Sequence, residues 1–469
     1  MRQLLIFLLL CLSVYSPNSA ELIKGTFIES NNNYIYSFKS PELSPDKVWL
    51  NRVQSISPNM PIWISDDGNK IAINKGLNLS NTIQITLQSH AINSTDNLLA
   101  LNQIQLIGTH NSYHIAPHSS VMQLIRKVMP SQADSIKYSH RPLTEQLELI
   151  GMRKFELDIF HDNKGGGYSQ PLGAIMAHGI NWKGNYPEFN EDALKNSGMK
   201  VLHFPNFDFR SNTPNLIKAL NEIDVWSRKN SYHLPIMILI ETKNTNEGST
   251  TASGVFGIKD FVELEKEIKS VLNLSRIITP DEVRGKFSTL NKAIRTKGWP
   301  SLYKSRGRFI FALDNQGKEL DSYLKLHPQL KGAILFVSSS PGKPESAFLK
   351  INDPIRNHSL IKEKITEGYL IRTRADSDLT QAKKMDYNQM QKAFSSGAQY
   401  ISTDFPTDGS TDNYNVGWLG GKIGRLNPLF KHSKKMRATE LEQKEYPKLI
   451  RVFELKIPNN QPESKNVSQ

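Results

Sequence analysis

From about residue 100 to residue 406 the chain repeats one pattern, a short apolar run of β-forming residues followed by an amphipathic stretch of helical period. Runs at 103–108, 153–158, 199–203, 235–241, 308–313, 333–337, 368–373 and 399–403 predict strands; the spacing between them predicts helices at 214–229, 259–273 and 378–396. Alternation of this kind confines a chain to an α/β fold, either a closed (β/α)8 barrel or a doubly wound open sheet. The residues ending the runs favour the barrel. His110-Asn111, Glu156 with Asp158, His203, Glu241 with Lys243, Asp314, Arg372 with Arg374, and Asp404 all stand at C-terminal strand ends. A TIM-type (β/α)8 barrel, expected over 101–430, would gather those ends into one ring.

Residues 21–100 lie outside the repeat. They are rich in Asn, Ser and Ile and alternate with strand period at Tyr34-Ile35-Tyr36-Ser37-Phe38 and Thr82-Ile83-Gln84-Ile85-Thr86-Leu87. Asp66-Asp67-Gly68-Asn69, between Ile62-Trp63-Ile64 and Ile71-Ala72-Ile73, signals a hairpin turn, so a small β-rich accessory domain is expected. Residues 431–469 read as a tail, basic and then, from Pro458, disordered; 422–451 carry nine Lys or Arg against three Glu.

Arg2 precedes an apolar stretch from Leu4 to Val14 and a small-residue end, Pro17-Asn18-Ser19-Ala20, so 1–20 have the form of a cleaved secretory signal. A secreted or periplasmic protein without a transmembrane anchor in its mature chain is expected. The single cysteine, Cys11, lies in that segment, which excludes disulfides, thiolate zinc sites and a cysteine nucleophile from the mature protein. A hydrophobic content of 38% describes a soluble globular chain. The formal net charge of +13, or +12 without Arg2, draws the protein to anionic phospholipid headgroups or glycans, or else only keeps it soluble. No basic run interleaved with aromatics occurs, so no nucleic acid is expected as a partner, and a monomer is expected.

Two segments carry the chemistry. Leu106-Ile107-Gly108-Thr109-His110-Asn111 breaks at glycine into an imidazole and an amide; Phe155-Glu156-Leu157-Asp158 places carboxylates at i and i+2 of a strand, on one face. A general base, a hard amide oxygen and two convergent carboxylates are the parts of a calcium-assisted phosphodiester cleavage site. Ordinary salt bridges to nearby Arg or Lys are the other explanation for the acids.

With segments downstream, in order, these residues resemble the bacterial calcium-dependent phosphoinositide phospholipase C family, within the phosphatidylinositol-specific phospholipase C superfamily. The further segments are Gly198-Met199-Lys200-Val201-Leu202-His203, Asp208-Phe209-Arg210-Ser211, Trp226-Ser227 leading to His233-Leu234-Pro235-Ile236, Ile240-Glu241-Thr242-Lys243, Thr279-Pro280-Asp281-Glu282-Val283-Arg284-Gly285, Lys297-Gly298-Trp299-Pro300-Ser301-Leu302 and Arg425-Leu426-Asn427-Pro428. Each is weak alone, and the ordered set is specific.

The resemblance implies a phospholipase C that splits phosphatidylinositol or a phosphoinositide at a membrane surface, through peripheral contact, into diacylglycerol and a cyclic or free inositol phosphate. Two imidazoles would share the proton transfers, His110 and His203, with His178 a rival for the second place. The metal would be Ca2+, held by Asn111, Glu156, Asp158 and Glu241, with magnesium the runner-up. Lys243 is the expected phosphate contact, while Arg372 and Arg374 either hold the headgroup or balance the acids. Asp314 either orients a catalytic histidine or caps the turn after it. His114, His118, His140 and His161 are expected at the surface or behind the site. Two other readings compete: a glycerophosphodiester phosphodiesterase, whose His-Arg-Gly differs from His110-Asn111-Ser112, and an inactive secreted barrel that binds lipid or glycan.

Overall fold

The computed structural model describes residues 26–29, 33–37, 47–57, 63–64, 70–74, 82–186, 189, 191–244, 256–377, 379–407, 413–418, 422–432, 441–442 and 448–456. The expected signal at 1–20, the turn at 66–69 and the end from Pro458 lie outside these residues. The chain divides into two compact units, Met1–Ser94 with Glu445–Gln469, and Thr95–Lys444.

In the first unit β1 (Thr26–Glu29), β2 (Asn33–Ser37), β4 (Trp63–Ile64) and β5 (Lys70–Asn74) form one sheet in the order β1-β2-β5-β4. The long β3 (Lys47–Ser57) pairs antiparallel with β6 (Thr82–Asn93), with a register shift between Val53 and Ser55. Strand-period alternation at 82–87 puts Ile83, Ile85 and Leu87 on one buried face.

The second unit is a mixed α/β fold with parallel sheets. Its strands are β7 (Ile104–Thr109), β8 (Lys154–Asp162), β9 (Gly198–Val201), β10 (Ile236–Thr242), β11 (Phe309–Leu313), β12 (Leu335–Val337), β13 (Phe348–Lys350), β14 (Leu370–Arg374), β15 (Tyr400–Thr403) and β16 (Gly424–Leu426). They form two sheets, β12-β11-β10-β8-β9 and β13-β14-β15-β7-β16. All pairings are parallel except those of β9 with β8 and β16 with β7. A parallel bridge, Ser338 to Phe348, links the sheets on one side, and a hydrogen bond from Arg153 N to Ile107 O (3.0 Å) links them on the other. There β7 and β8 approach so closely that a Cβ on Gly108 would lie 2.2 Å from the carbonyl oxygen of Lys154. Ile236 to Ile240 of β10 are fully buried, as a strand covered on both faces must be.

Three expectations change. The run at 199–203 gives β9, which leaves the parallel set and lies antiparallel to the last residues of β8. β10 pairs directly with β8, and the eighth strand of parallel pairings is β13, beside β14, hidden in a three-residue apolar run between polar neighbours. The helix expected over 378–396 is two, Thr380–Lys384 and Asn388–Ser396, broken where Met385 adopts a left-handed φ of 52°. The third concerns the tail: within 431–469, β17 (Lys448–Lys456) pairs antiparallel with β6 over nine residues. The flanking lysines mask Leu449-Ile450-Arg451-Val452-Phe453, a run of strong β-formers. Among the described residues no helix is long and apolar enough to cross a membrane.

Candidate active site

His110 follows β7, anchored by its backbone N–H on the Thr403 carbonyl of β15 (3.0 Å). Its Nδ1 lies 2.8 Å from Asp404 Oδ1, whose other oxygen accepts from Arg374 Nη2 at 2.9 Å. Burial would raise the Asp404 pKa, but His110 and Arg374 hold it far below the usual carboxylate range. An ionised carboxylate only accepts, so the neutral ring carries its proton on Nδ1 and its lone pair on Nε2. Burial and Arg374 lower the pKa of that ring, outweighing Asp404 and Glu156. Nε2 lies 3.5 Å from Glu156 Oε1. The next residue, Asn111, takes φ 43°, a left-handed conformation that asparagine tolerates. Its Nδ2 donates to the Tyr138 hydroxyl at 3.1 Å, while its Oδ1 is buried with no hydrogen-bond partner among the described residues.

The strand alternation of β8 does put Glu156 and Asp158 on one face, and the parallel register sets Asp158 opposite Glu241 on β10. Glu156 Oε2 accepts from Lys154 Nζ at 2.5 Å and Arg372 Nη2 at 2.6 Å. Against the opposing effect of burial, Arg372, Lys154 and His110 hold its pKa well below the usual range. Asp158 is fully buried; Lys243 Nζ stands 3.0 Å from its Oδ2 as an ionic partner, and neither oxygen accepts an aligned hydrogen bond. Lys243 also pairs with Glu241 Oε1 at 2.7 Å. One cation for two acids leaves a deficit: burial and Glu156 push Asp158 up to about 6, and burial and Asp158 push Glu241 up to about 7.

This donor set fits a hard divalent cation. Asn111 Oδ1 lacks a partner, Asp158 offers two oxygens and Glu241 one or two, all of the type Ca2+ prefers. Glu156 could offer only Oε1, since Lys154 and Arg372 occupy the other oxygen.

His203 follows β9, its Nδ1 2.7 Å from Asp208 Oδ2. His114 is fully buried behind it, bonding the Tyr138 carbonyl (3.0 Å) through Nδ1 and Asp208 (2.8 Å) through Nε2. Both partners are acceptors, so both ring nitrogens carry protons; burial opposes this, and Asp208 raises the pKa despite it. The ligand atoms of His114, His203 and Asp208 lie within 4.8 Å of one another, but the acid already accepts from both rings.

Other expected residues take different places. Arg372 is buried, its guanidinium engaged by Glu156, Ser402 and Asn352, which favours the role of balancing acids. Arg374 likewise braces Asp404. Asp314 pairs with Lys350 at 2.5 Å and neither caps a turn nor touches a histidine; Asp404 orients His110 instead. His178 bonds Ser120 Oγ at 2.7 Å and packs on His118 and Tyr186, and His161 pairs with Asp260. His140 is buried and bonds the His110 carbonyl at 2.8 Å. Sequence reasoning missed Lys154, buried beneath Glu156 with its pKa brought down to about 7 by burial. A lysine opening a strand looks like a solvated charge, and nothing local marks it otherwise. The His203–Asp208 pair had a signal in its five-residue separation.

The family described as Ca2+-dependent phosphoinositide phospholipase C matches residues 99–428. The chain belongs to this family. Similar solved structures include a calcium-dependent phosphoinositol-specific phospholipase C from a Pseudomonas species, at 16% identity and a TM-score of 0.44, covering 71% of this chain and 98% of that one. A Ca2+-dependent phosphatidylinositol-specific phospholipase C from Streptomyces antibioticus shares 17% identity at a TM-score of 0.38, covering 65% and 95%. The phosphatidylinositol-specific phospholipase C of Listeria monocytogenes shares 12% at 0.37, covering 66% and 91%. No curated protein matches the chain.

Proposed function

We propose that this chain is an exported Ca2+-dependent phospholipase C that cleaves phosphatidylinositol or a phosphoinositide to diacylglycerol and a cyclic or free inositol phosphate. One observation carries the reading beyond family membership. Among the described residues, Asp158 and Glu241 stand opposite each other on β8 and β10 with Lys243 as their one shared cation, and Asn111 Oδ1, on the turn after neighbouring β7, is buried without a partner. Buried negative charge and an orphaned oxygen are costly unless a cation compensates them. Ca2+ bound by Asn111, Glu156, Asp158 and Glu241 would lower the pKa of the attacking inositol 2-hydroxyl and offset charge on the phosphate.

The protein's own groups manage the protons. Asp404 fixes His110 with its lone pair on Nε2 and stabilises the imidazolium formed when that nitrogen takes a proton. Asp208 fixes His203 through Nδ1, leaving Nε2 to exchange a proton. One ring serves the inositol hydroxyl and the other the departing diacylglycerol oxygen. Lys243 contacts the phosphate, and Arg372 and Arg374 act through the carboxylates they brace. In this reading the two parallel sheets close into one (β/α)8 barrel over 101–430, through the Arg153–Ile107 and Ser338–Phe348 links. Residues 21–100 form the accessory domain and 1–20 direct export.

The test is release of water-soluble inositol phosphate from phosphatidylinositol vesicles. Wild-type turnover should vanish in EGTA and return with Ca2+, and His110→Ala should lower it at least about 100-fold. Chelator-insensitive turnover would sink the metal assignment. Glycerol phosphate release from a deacylated substrate, with intact lipid untouched, would favour a glycerophosphodiesterase instead.

A further inference from the structure

Between β8 and β9 the chain makes an excursion whose helix Leu172–His178 is built inside out. Its small residues, Gly173 and Ala174, are buried, and its large apolar residues, Leu172, Ile175 and Met176, face solvent together with Ile180 beyond it. Leu172, Ile175 and Met176, at i, i+3 and i+4, form one stripe, the spacing that ordinarily faces a core; Ile180 stands just past the helix end, where Gly179 takes φ 69°. Here Met176 is 57% and Ile180 90% exposed. The inward side explains why the helix cannot turn over: a Cβ on Gly173 would lie 2.8 Å from the Phe207 ring and 2.9 Å from the Asn206 carbonyl oxygen. Trp182, Tyr186, Phe209, Ala174 and, from the neighbouring helix Ser119–Val128, Val121 and Ile125 make a small core under this face.

The segments that carry and neighbour the stripe are basic. No acidic residue occurs between Asp162 and Glu188, where Lys164 and Lys183 are exposed, nor between His110 and Asp134, where Lys127 is exposed and Arg126 pairs with Asp134 at 3.8 Å. The lobe is also joined to the candidate active site. Gly173 N bonds the Asn206 carbonyl at 2.7 Å, and in the same loop the half-exposed Phe204 packs on the His203 ring, with centroids 4.3 Å apart.

We propose that Leu172, Ile175, Met176 and Ile180 insert into an anionic phospholipid surface and hold the mouth carrying His203 against it. An exposed apolar stripe within a basic field suits the boundary of acyl chains and negative headgroups. The choice of a bilayer as occupant rests on the phospholipase reading, while the docking itself is measurable without turnover.

The experiment is sedimentation of the full chain with phosphatidylcholine vesicles containing phosphatidylglycerol, which carry no inositol lipid, in EGTA. The wild type should sediment with them and bind neutral vesicles more weakly. Met176→Glu with Ile180→Glu should lower partitioning at least about tenfold, with Ile180→Ala intermediate and all three melting alike. In a separate assay with Ca2+, turnover of a soluble inositol phosphodiester should be the same in the variants as in the wild type. Equal vesicle binding by wild type and the double variant overturns the proposal, as does self-association through this face without vesicle binding. Loss of soluble turnover in the wild type, with binding retained, counts against the phospholipase reading and leaves the docking surface standing.

Discussion

His110 works through what holds it. Asp404 is the only carboxylate within hydrogen-bond distance of its Nδ1 among the described residues, and Arg374 fixes that carboxylate in turn. Asp404→Ala should therefore cut turnover by about 100- to 10,000-fold with KM little changed, measured on phosphatidylinositol vesicles; a loss confined to KM would give Asp404 a binding role. Behind it, burial lowers the pKa of His140 from 6.5 to about 4. On acidification the unfolded chain takes up this proton first, so stability is fully present above pH 6.5, falls between 6.5 and 4, and levels off below. The loss approaches about 3 kcal/mol. Urea unfolding at pH 7 and pH 4.5 should show a difference that His140→Gln reduces; an unchanged difference would place the proton elsewhere. His110, Asn111, Glu156 and Asp158 were legible because polar groups closing apolar strands stand out. Lys154, His114 and His140 were not, since burial of a charge is decided by neighbours distant in sequence.

The strands show the same division one level up. Gly108 stands at the tightest approach of β7 and β8, and Gly108→Ala should cost about 3 kcal/mol or more, read as a lowered thermal midpoint; a variant as stable as wild type would mean that the two strands separate easily. Apolar runs locate most of the parallel strands, yet the run at 199–203 pairs antiparallel and β13 has too short a run to stand out. A short run carries no direction, and the pairing of β9 with the end of β8 follows from how the chain returns, not from its own residues. Several segments of the family pattern prove to be scaffolding. Thr279 caps the helix Pro280–Arg284 through the Glu282 N–H, Trp299 Nε1 donates to the Gly368 carbonyl, and Asn427 Nδ2 to the Gly397 carbonyl.

Within the second unit, residues beyond the family match complete the fold. Glu442 accepts from Arg153 Nε at 3.1 Å and from Leu234 N at 2.7 Å, and the carbonyl of buried Leu441 accepts from Arg306, which also pairs with Asp96. Arg153 and Arg306 are themselves buried, so Glu442→Ala leaves a guanidinium without its counter-charge and should cost about 3–5 kcal/mol in denaturant unfolding; a cost below about 1 kcal/mol would show that water reaches Arg153. A tail read from composition therefore closes one unit at 441–442 and supplies β17 to the other. By itself the sequence determined the strand and helix alternation, the family and the residues at the strand ends, because apolar periodicity and ordered motifs are local signals. Only the tertiary structure decided which acid holds His110, which cations sit on Glu156 and Asp158, which strand runs antiparallel and where the C-terminal residues return. Those depend on contacts across hundreds of residues, where the dielectric around each charge is set by whatever the fold packs against it.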